Sequence, residues 1–163
     1  VGWSFGPAEI ISKMQALLGH IGAWAPKPEQ EAVSVFLANS KDVNSFVDDF
    51  KNKISESLKT LHEGIQELKN RGFAVESIVP MGAMYLTIKI DYIQKSKENE
   101  DLIKDSMDLV SYLIEEAGMA LVPFSAFGNS SEMPWFRASV GGLSLDEIKK
   151  MIPRLENALN KLK

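Results

Sequence analysis

The chain has no cysteine. That excludes disulfides, cysteine nucleophiles and thiolate-bound metals, and it fits a reducing cytoplasm. It has only two histidines, His20 and His62, far apart and in different predicted elements. Neither a His-x-x-x-His spacing nor a carboxylate cluster accompanies them, so the expectation is no metal site. Arginine is scarce: Arg71, Arg137 and Arg154 stand against fifteen lysines. The formal net charge is −4, so the basic face that nucleic-acid binding needs is not expected. The apolar runs are too short to span a membrane, and no signal-peptide pattern is visible.

What is there is ordinary globular material. Hydrophobic residues make up 45% and charged residues 25% of 163 residues, enough to bury a core without metal or disulfide staples. The chain opens Val1-Gly2-Trp3-Ser4-Phe5-Gly6-Pro7. With no initiator methionine and no polar lead-in, this reads as the middle of a strand in a segment excised from a longer protein.

Val1 to Gly6 is apolar and closed by Gly-Pro, which predicts a strand and a turn. Pro7 suits the first turn of a helix carrying Ile10, Ile11, Met14, Leu17 and Leu18, ended by Gly19 and Gly22. Ala23 to Pro28 holds two prolines and reads as a hinge. A helix follows to Ala38. Ser40 is the expected cap of the next, in which Val43, Phe46, Val47, Phe50, Ile54, Leu58, Leu61, Ile65 and Leu68 form one apolar stripe. Asn70-Arg71-Gly72 supplies its stop.

Phe73 to Val79 predicts a strand and Pro80-Met81-Gly82 a turn. Met84, Leu86, Ile88 and Ile90 then alternate with Tyr85, Thr87, Lys89 and Asp91, the pattern of a strand with one buried face. After a charged loop, Lys95 to Asp101, a helix runs to about Ala117 with Ile103, Met107, Val110, Leu113, Ile114 and Ala117 expected inward. Gly118 ends it. Ala120 to Phe124 reads as a short strand, Ser125 to Met133 as a loop, and Pro134 to Val140 as another strand. Ser144 with Glu147 makes a capping box for a last helix, which Pro153 should kink. The order predicts an α+β fold, with helices packed on a mostly antiparallel sheet. The first 25 or so residues stand apart.

Nucleophilic chemistry finds little support. Ser125, Ser130, Ser131 and Ser139 lack a recognisable histidine partner, and there is no Gly-x-Ser-x-Gly and no phosphate-cradling loop. Asn129-Ser130-Ser131 matches a glycosylation acceptor, a tripeptide common by chance. Among the arginines, Arg71 sits at a helix end and Arg154 on a helix. Arg137 lies in Trp135-Phe136-Arg137-Ala138-Ser139-Val140. Phe136, Ala138 and Val140 share the core face; Trp135, Arg137 and Ser139 share the other. A mid-strand guanidinium can grip a carboxylate with two parallel hydrogen bonds, or it can pair with Asp or Glu of a neighbouring strand. The pattern leaves both open.

Four motifs in order carry a resemblance. Val1-Gly2-Trp3 with Gly6-Pro7, Pro80-Met81-Gly82-Ala83-Met84-Tyr85, Val122-Pro123-Phe124-Ser125-Ala126-Phe127-Gly128 and Phe136-Arg137-Ala138-Ser139 resemble the C-terminal part of class I/II pyridoxal-phosphate-dependent aminotransferases of the aspartate aminotransferase kind. The sequence departs from that pattern at Gly19 to Pro26, where relatives often carry a Ser/Thr-rich stretch, and at Phe124, where glycine is frequent.

The resemblance implies residues 1–27 as a remnant of the large cofactor-binding domain and hinge, and 28–163 as the small C-terminal domain. It implies Arg137 as the ligand of the substrate α-carboxylate, with Gly82, Ala83 and Phe127 bordering the cleft. The parent would be a cytoplasmic homodimer that moves an amino group between an amino acid and a 2-oxo acid. The family's cofactor lysine, its aspartate partner and its phosphate-binding arginine would precede Val1. This chain alone is therefore expected to hold no catalytic residue, bind no cofactor specifically and be inactive. Two other readings use the same residues: a non-catalytic α+β module that binds a carboxylate ligand or partner protein, and a pyridoxal-dependent lyase or synthase on the same fold.

Overall fold

The structure is a computed structural model that describes residues 1–96 and 102–162. By internal contacts the chain divides into two units, Val1–Phe50 and Lys51–Lys163.

The first unit is helical. Helix α1 spans Ala8–Ile21 and passes through Gly19; it ends at Gly22, whose φ of +72° is left-handed and suits glycine. Helix α2 spans Lys27–Ala38, with proline in its first turn. Helix α3, Ser40–Asn70, begins in this unit and ends in the second. The expected strand at Val1 to Gly6 is irregular. A strand needs a partner for its backbone groups, and no ladder among the described residues includes this stretch. The cap of α3 is Asn39 rather than Ser40: Asn39 Oδ1 accepts from the Asp42 N–H at 3.3 Å. Ser40 is already the first helical residue. No residue from 1 to 50 is buried.

The second unit holds the core. Strands β1 (Val75–Ser77), β2 (Tyr85–Ile90), β3 (Val122–Pro123) and β4 (Trp135–Ser139) form one antiparallel sheet in the order β1-β2-β4-β3. Helices α4 (Ser106–Ala117) and α5 (Leu145–Asn160) complete it. Leu86, Ile88 and Ile90 of β2 and Phe136, Ala138 and Val140 beside them are buried with Leu61, Ile65 and Leu68 of α3, Leu109 and Leu113 of α4, and Ile148 and Leu155 of α5. Each of these side chains larger than alanine contributes about 1.5–3 kcal/mol when removed from water. Helices α3 and α5 approach closely at Gly64, where an added Cβ would stand 2.6 Å from Ile152 Cγ1.

Several sequence expectations shift. The strand expected over Phe73 to Val79 is only Val75–Ser77. Helix α4 starts at Ser106, capped by Asp105, whose side chain accepts from the Met107 and Asp108 N–H groups. Its inner face is Leu109, Val110, Tyr112, Leu113 and Ala117, while Met107 and Ile114 are exposed and Ile103 is buried ahead of the helix. Spacing alone could not choose between two overlapping apolar stripes; Tyr112 settles it, because its hydroxyl donates to the Ala158 carbonyl of α5 at 2.8 Å. The strand expected over Ala120 to Phe124 is only Val122–Pro123, and Phe124–Phe127 turns into a 3-10 helix. The capping box of Ser144 and Glu147 is present, and α5 runs on through Pro153. Of the charged loop, residues 97–101 lie outside the described residues.

Candidate functional site

Strand β4 is an inner strand of the sheet, so its outward side chains have neighbours on both sides. Arg137 stands opposite Thr87 of β2 and Val122 of β3. It is half-buried, while its strand neighbours Phe136 and Ala138 point into the core. Its guanidinium carbon lies 4.3 Å from the centroid of the Tyr85 ring and 4.7 Å from that of Phe127. Both distances are within the range in which a ring face attracts a cation.

Those rings arrive by separate routes. Tyr85 opens β2 on the same sheet face, opposite Ser139 and so diagonal to Arg137. The chain reaches it through Gly82 and Ala83, both exposed, and Ala83 has a left-handed φ of +60°. Phe127 closes the 3-10 turn, which Gly128 ends with a φ of +88°. The Phe124 ring packs edge-on against Phe127 at 6.3 Å, and Asn129 Nδ2 donates to the Phe124 carbonyl at 3.2 Å.

No ion pair among the described residues includes Arg137. The neighbouring cation on this face behaves otherwise: Lys89 Nζ is 2.8 Å from Asp91 Oδ2. Arg71 is also paired, with Glu156. A hydrogen bond and the charge of Lys69 hold the pKa of Glu76 below the usual glutamate value, and burial raises that of Tyr92.

Neither histidine is hydrogen-bonded to Ser125, Ser130, Ser131 or Ser139 among the described residues, although Ser139 shares the strand face of Arg137. His20 is exposed on α1. His62 Nδ1 is 2.8 Å from Ser77 Oγ, and Gln66 Nε2 donates to the same oxygen at 3.1 Å, which ties β1 to α3. Ser125 pairs with Ser106 at 2.9 Å, and the Ser130 hydroxyl accepts from the Glu132 N–H. Among the described residues no group of three or more His, Asp or Glu is placed to hold a metal, and no helix is long and apolar enough to cross a membrane.

The sequence matches the family described as Aminotransferase class I and II over residues 1–155. The chain belongs to that family. The aspartate aminotransferase of Rhizobium meliloti (strain 1021) is 29% identical over 163 residues, covering 99% of this chain. The chain spans 37% of that relative's length. The crystal structure of the aspartate aminotransferase from Rhizobium meliloti matches 97% of the chain with a TM-score of 0.69 and 28% identity, again over 37% of that protein. The crystal structure of the PLP-bound C-S lyase from Staphylococcus hominis matches 71% of the chain at 13% identity and a TM-score of 0.55, covering 27% of that protein. At that identity the likeness shows the fold alone, and the fold alone does not choose the reaction.

Pyridoxal phosphate, the cofactor the family implies, needs a lysine amine and a group of phosphate donors. Around Arg137 stand Tyr85, Phe127, Thr87 and Val122, and the lysine on this sheet face is held by Asp91. These residues do not make that site.

Tyr85 is the site residue that sequence pattern missed. It read only as the outward half of an alternating strand. The register that sets it diagonal to Arg137 joins residues more than fifty positions apart.

Proposed function

We propose that the chain is the substrate-carboxylate-binding part of an aminotransferase that moves an amino group between an amino acid and a 2-oxo acid. One observation carries the reading: a half-buried guanidinium lies over two ring faces with no carboxylate partner among the described residues. A cation held this way keeps its N–H donors for a ligand, and a fork of two parallel donors matches a planar carboxylate.

In this reading Arg137 fixes the substrate by its α-carboxylate, which sets the orientation of the reacting carbon. Phe127, Gly82 and Ala83 border the cleft. Residues 1–27 belong to the large domain and hinge, and 28–163 form the small domain. The cofactor is pyridoxal phosphate held by residues outside this chain, so the chain alone is inactive. The whole enzyme works as a cytoplasmic homodimer.

The test is steady-state kinetics of Arg137→Ala in that enzyme. A lost charge-assisted pair is worth about 1.5–3 kcal/mol, so kcat/KM should fall roughly tenfold to a hundredfold. Unchanged kinetics would reject the assignment. Product analysis separates amino transfer from a lyase reaction.

A further inference from the structure

We propose that Tyr85 is the positioning residue of Arg137, its ring face doing what a carboxylate does for most half-buried arginines. The inference rests on the reading of Arg137 as the carboxylate ligand, and it adds how that ligand is kept both aimed and free.

A guanidinium partly withdrawn from water needs a compensating partner. An acidic neighbour would supply one, but it would occupy the same N–H fork that a substrate carboxylate must use. A ring face attracts the charge from above the plane and leaves the in-plane donors open. Arg137 has that environment. Its carbon lies over Tyr85 and Phe127 at 4.3 and 4.7 Å, and no hydrogen bond or ion pair of its side chain is formed among the described residues. None of its nitrogens is sealed off without a partner, so each keeps some exposure to solvent.

The segment that delivers Tyr85 is held on both flanks. Ala83 adopts a left-handed backbone that alanine rarely takes. The Val140 N–H donates to the Met84 carbonyl at 3.1 Å. A Cβ on Gly141 would stand 3.1 Å from Met84 Sδ, so a side chain larger than glycine there would press on Met84. Tyr85 then enters β2 with its ring on the Arg137 face. No hydrogen bond to the Tyr85 hydroxyl is formed among the described residues, so the ring rather than the hydroxyl carries the role.

The experiment is NMR of the arginine Nε–H groups in this chain, titrated with propionate as the carboxylate probe. In the unaltered chain, the Arg137 side-chain signals should show the upfield displacement of a group over an aromatic ring, and they should move on titration. Tyr85→Ala and Tyr85→Leu should both abolish much of that displacement and weaken propionate binding about three- to thirtyfold. Tyr85→Phe should restore binding to within about twofold and keep the displacement. If Tyr85→Leu binds like the unaltered chain, apolar bulk suffices and the proposal is overturned. If both Tyr85 variants bind normally while Arg137→Ala loses binding, the positioning role falls and the carboxylate reading survives. If propionate leaves the Arg137 signal unmoved, or Arg137→Ala responds like the unaltered chain, both fall.

Discussion

Helix α3 runs out of the first unit and into the second with an unbroken spacing of apolar residues every three or four positions. In its first half Phe46 is 60% exposed and Phe50 45%; in its second half Leu61, Ile65 and Leu68 are 0% exposed. The same pattern is written twice and is covered once. In the second unit a sheet and two helices meet the stripe. In the first, Phe46 packs against both Phe36 and Phe50, with ring centroids about 6 Å apart, and all three still face water. Trp3, Met14, Leu18 and Trp24 likewise line an open groove of about 760 Å³. An amphipathic period states that a helix has an apolar face; it does not state whether this chain supplies the cover.

The largest effect separates the two regions by one residue type. Phe136 is 0% exposed and Phe5 95%. Phe136→Ala should cost about 3–5 kcal/mol, and Phe5→Ala should stay within about 0.5 kcal/mol, both read by urea unfolding. A comparable loss at Phe5 would mean that the first unit is part of the cooperative core.

A smaller effect compares two left-handed glycines that end helices, Gly22 at φ +72° and Gly118 at φ +62°. Alanine pays a steric cost there of about 1–2 kcal/mol. Gly118→Ala should lower the unfolding midpoint through backbone strain, since the added Cβ would meet Arg154 Nη1 only at an ordinary contact distance of 3.4 Å. Gly22→Ala should fray α1 and leave that midpoint in place, with amide exchange as the readout. Equal shifts would join the two regions into one unfolding unit.

The smallest effect lies wholly in the second unit. Ser144→Ala should cost about 1 kcal/mol by removing a helix cap. The Ser144 hydroxyl and backbone N–H both hydrogen-bond the Glu147 carboxylate and hold its pKa below the usual glutamate value. Its folded-state pKa is thus the lower one. The stabilisation is complete above the ordinary glutamate value and is lost as pH falls through the depressed one. Ser144→Ala should flatten that acid-side slope; an unchanged slope would assign it to other carboxylates.

Much of the second unit was legible in the sequence. The alternation in β2 and β4 identified Leu86, Ile88, Ile90, Phe136 and Ala138 as core residues, because a period of two admits a single inner face. The Ser144 capping box and the Gly118 stop were legible because both are local motifs. Helix α4 was harder, since Met107 and Ile114 fit an apolar stripe as well as Leu109 and Tyr112 do. The opening strand failed because Val1 to Gly6 has strand composition but enters no ladder among the described residues. At the site, the one-sided alternation set Arg137 outward. Its partners could not be read: Tyr85 arrives by sheet register and Phe127 by a 3-10 turn where a strand end and loop were expected.

The most direct test of the carboxylate assignment pairs a change in the protein with a change in the substrate. The kcat/KM of the proposed enzyme is measured for a 2-amino acid and for its carboxamide, with Arg137 intact and as Arg137→Ala. If Arg137 grips the carboxylate, the intact enzyme should favour the acid strongly and the variant should discriminate far less, because group and partner are removed in turn. Discrimination that survives Arg137→Ala undiminished would contradict the assignment and place the carboxylate on another residue.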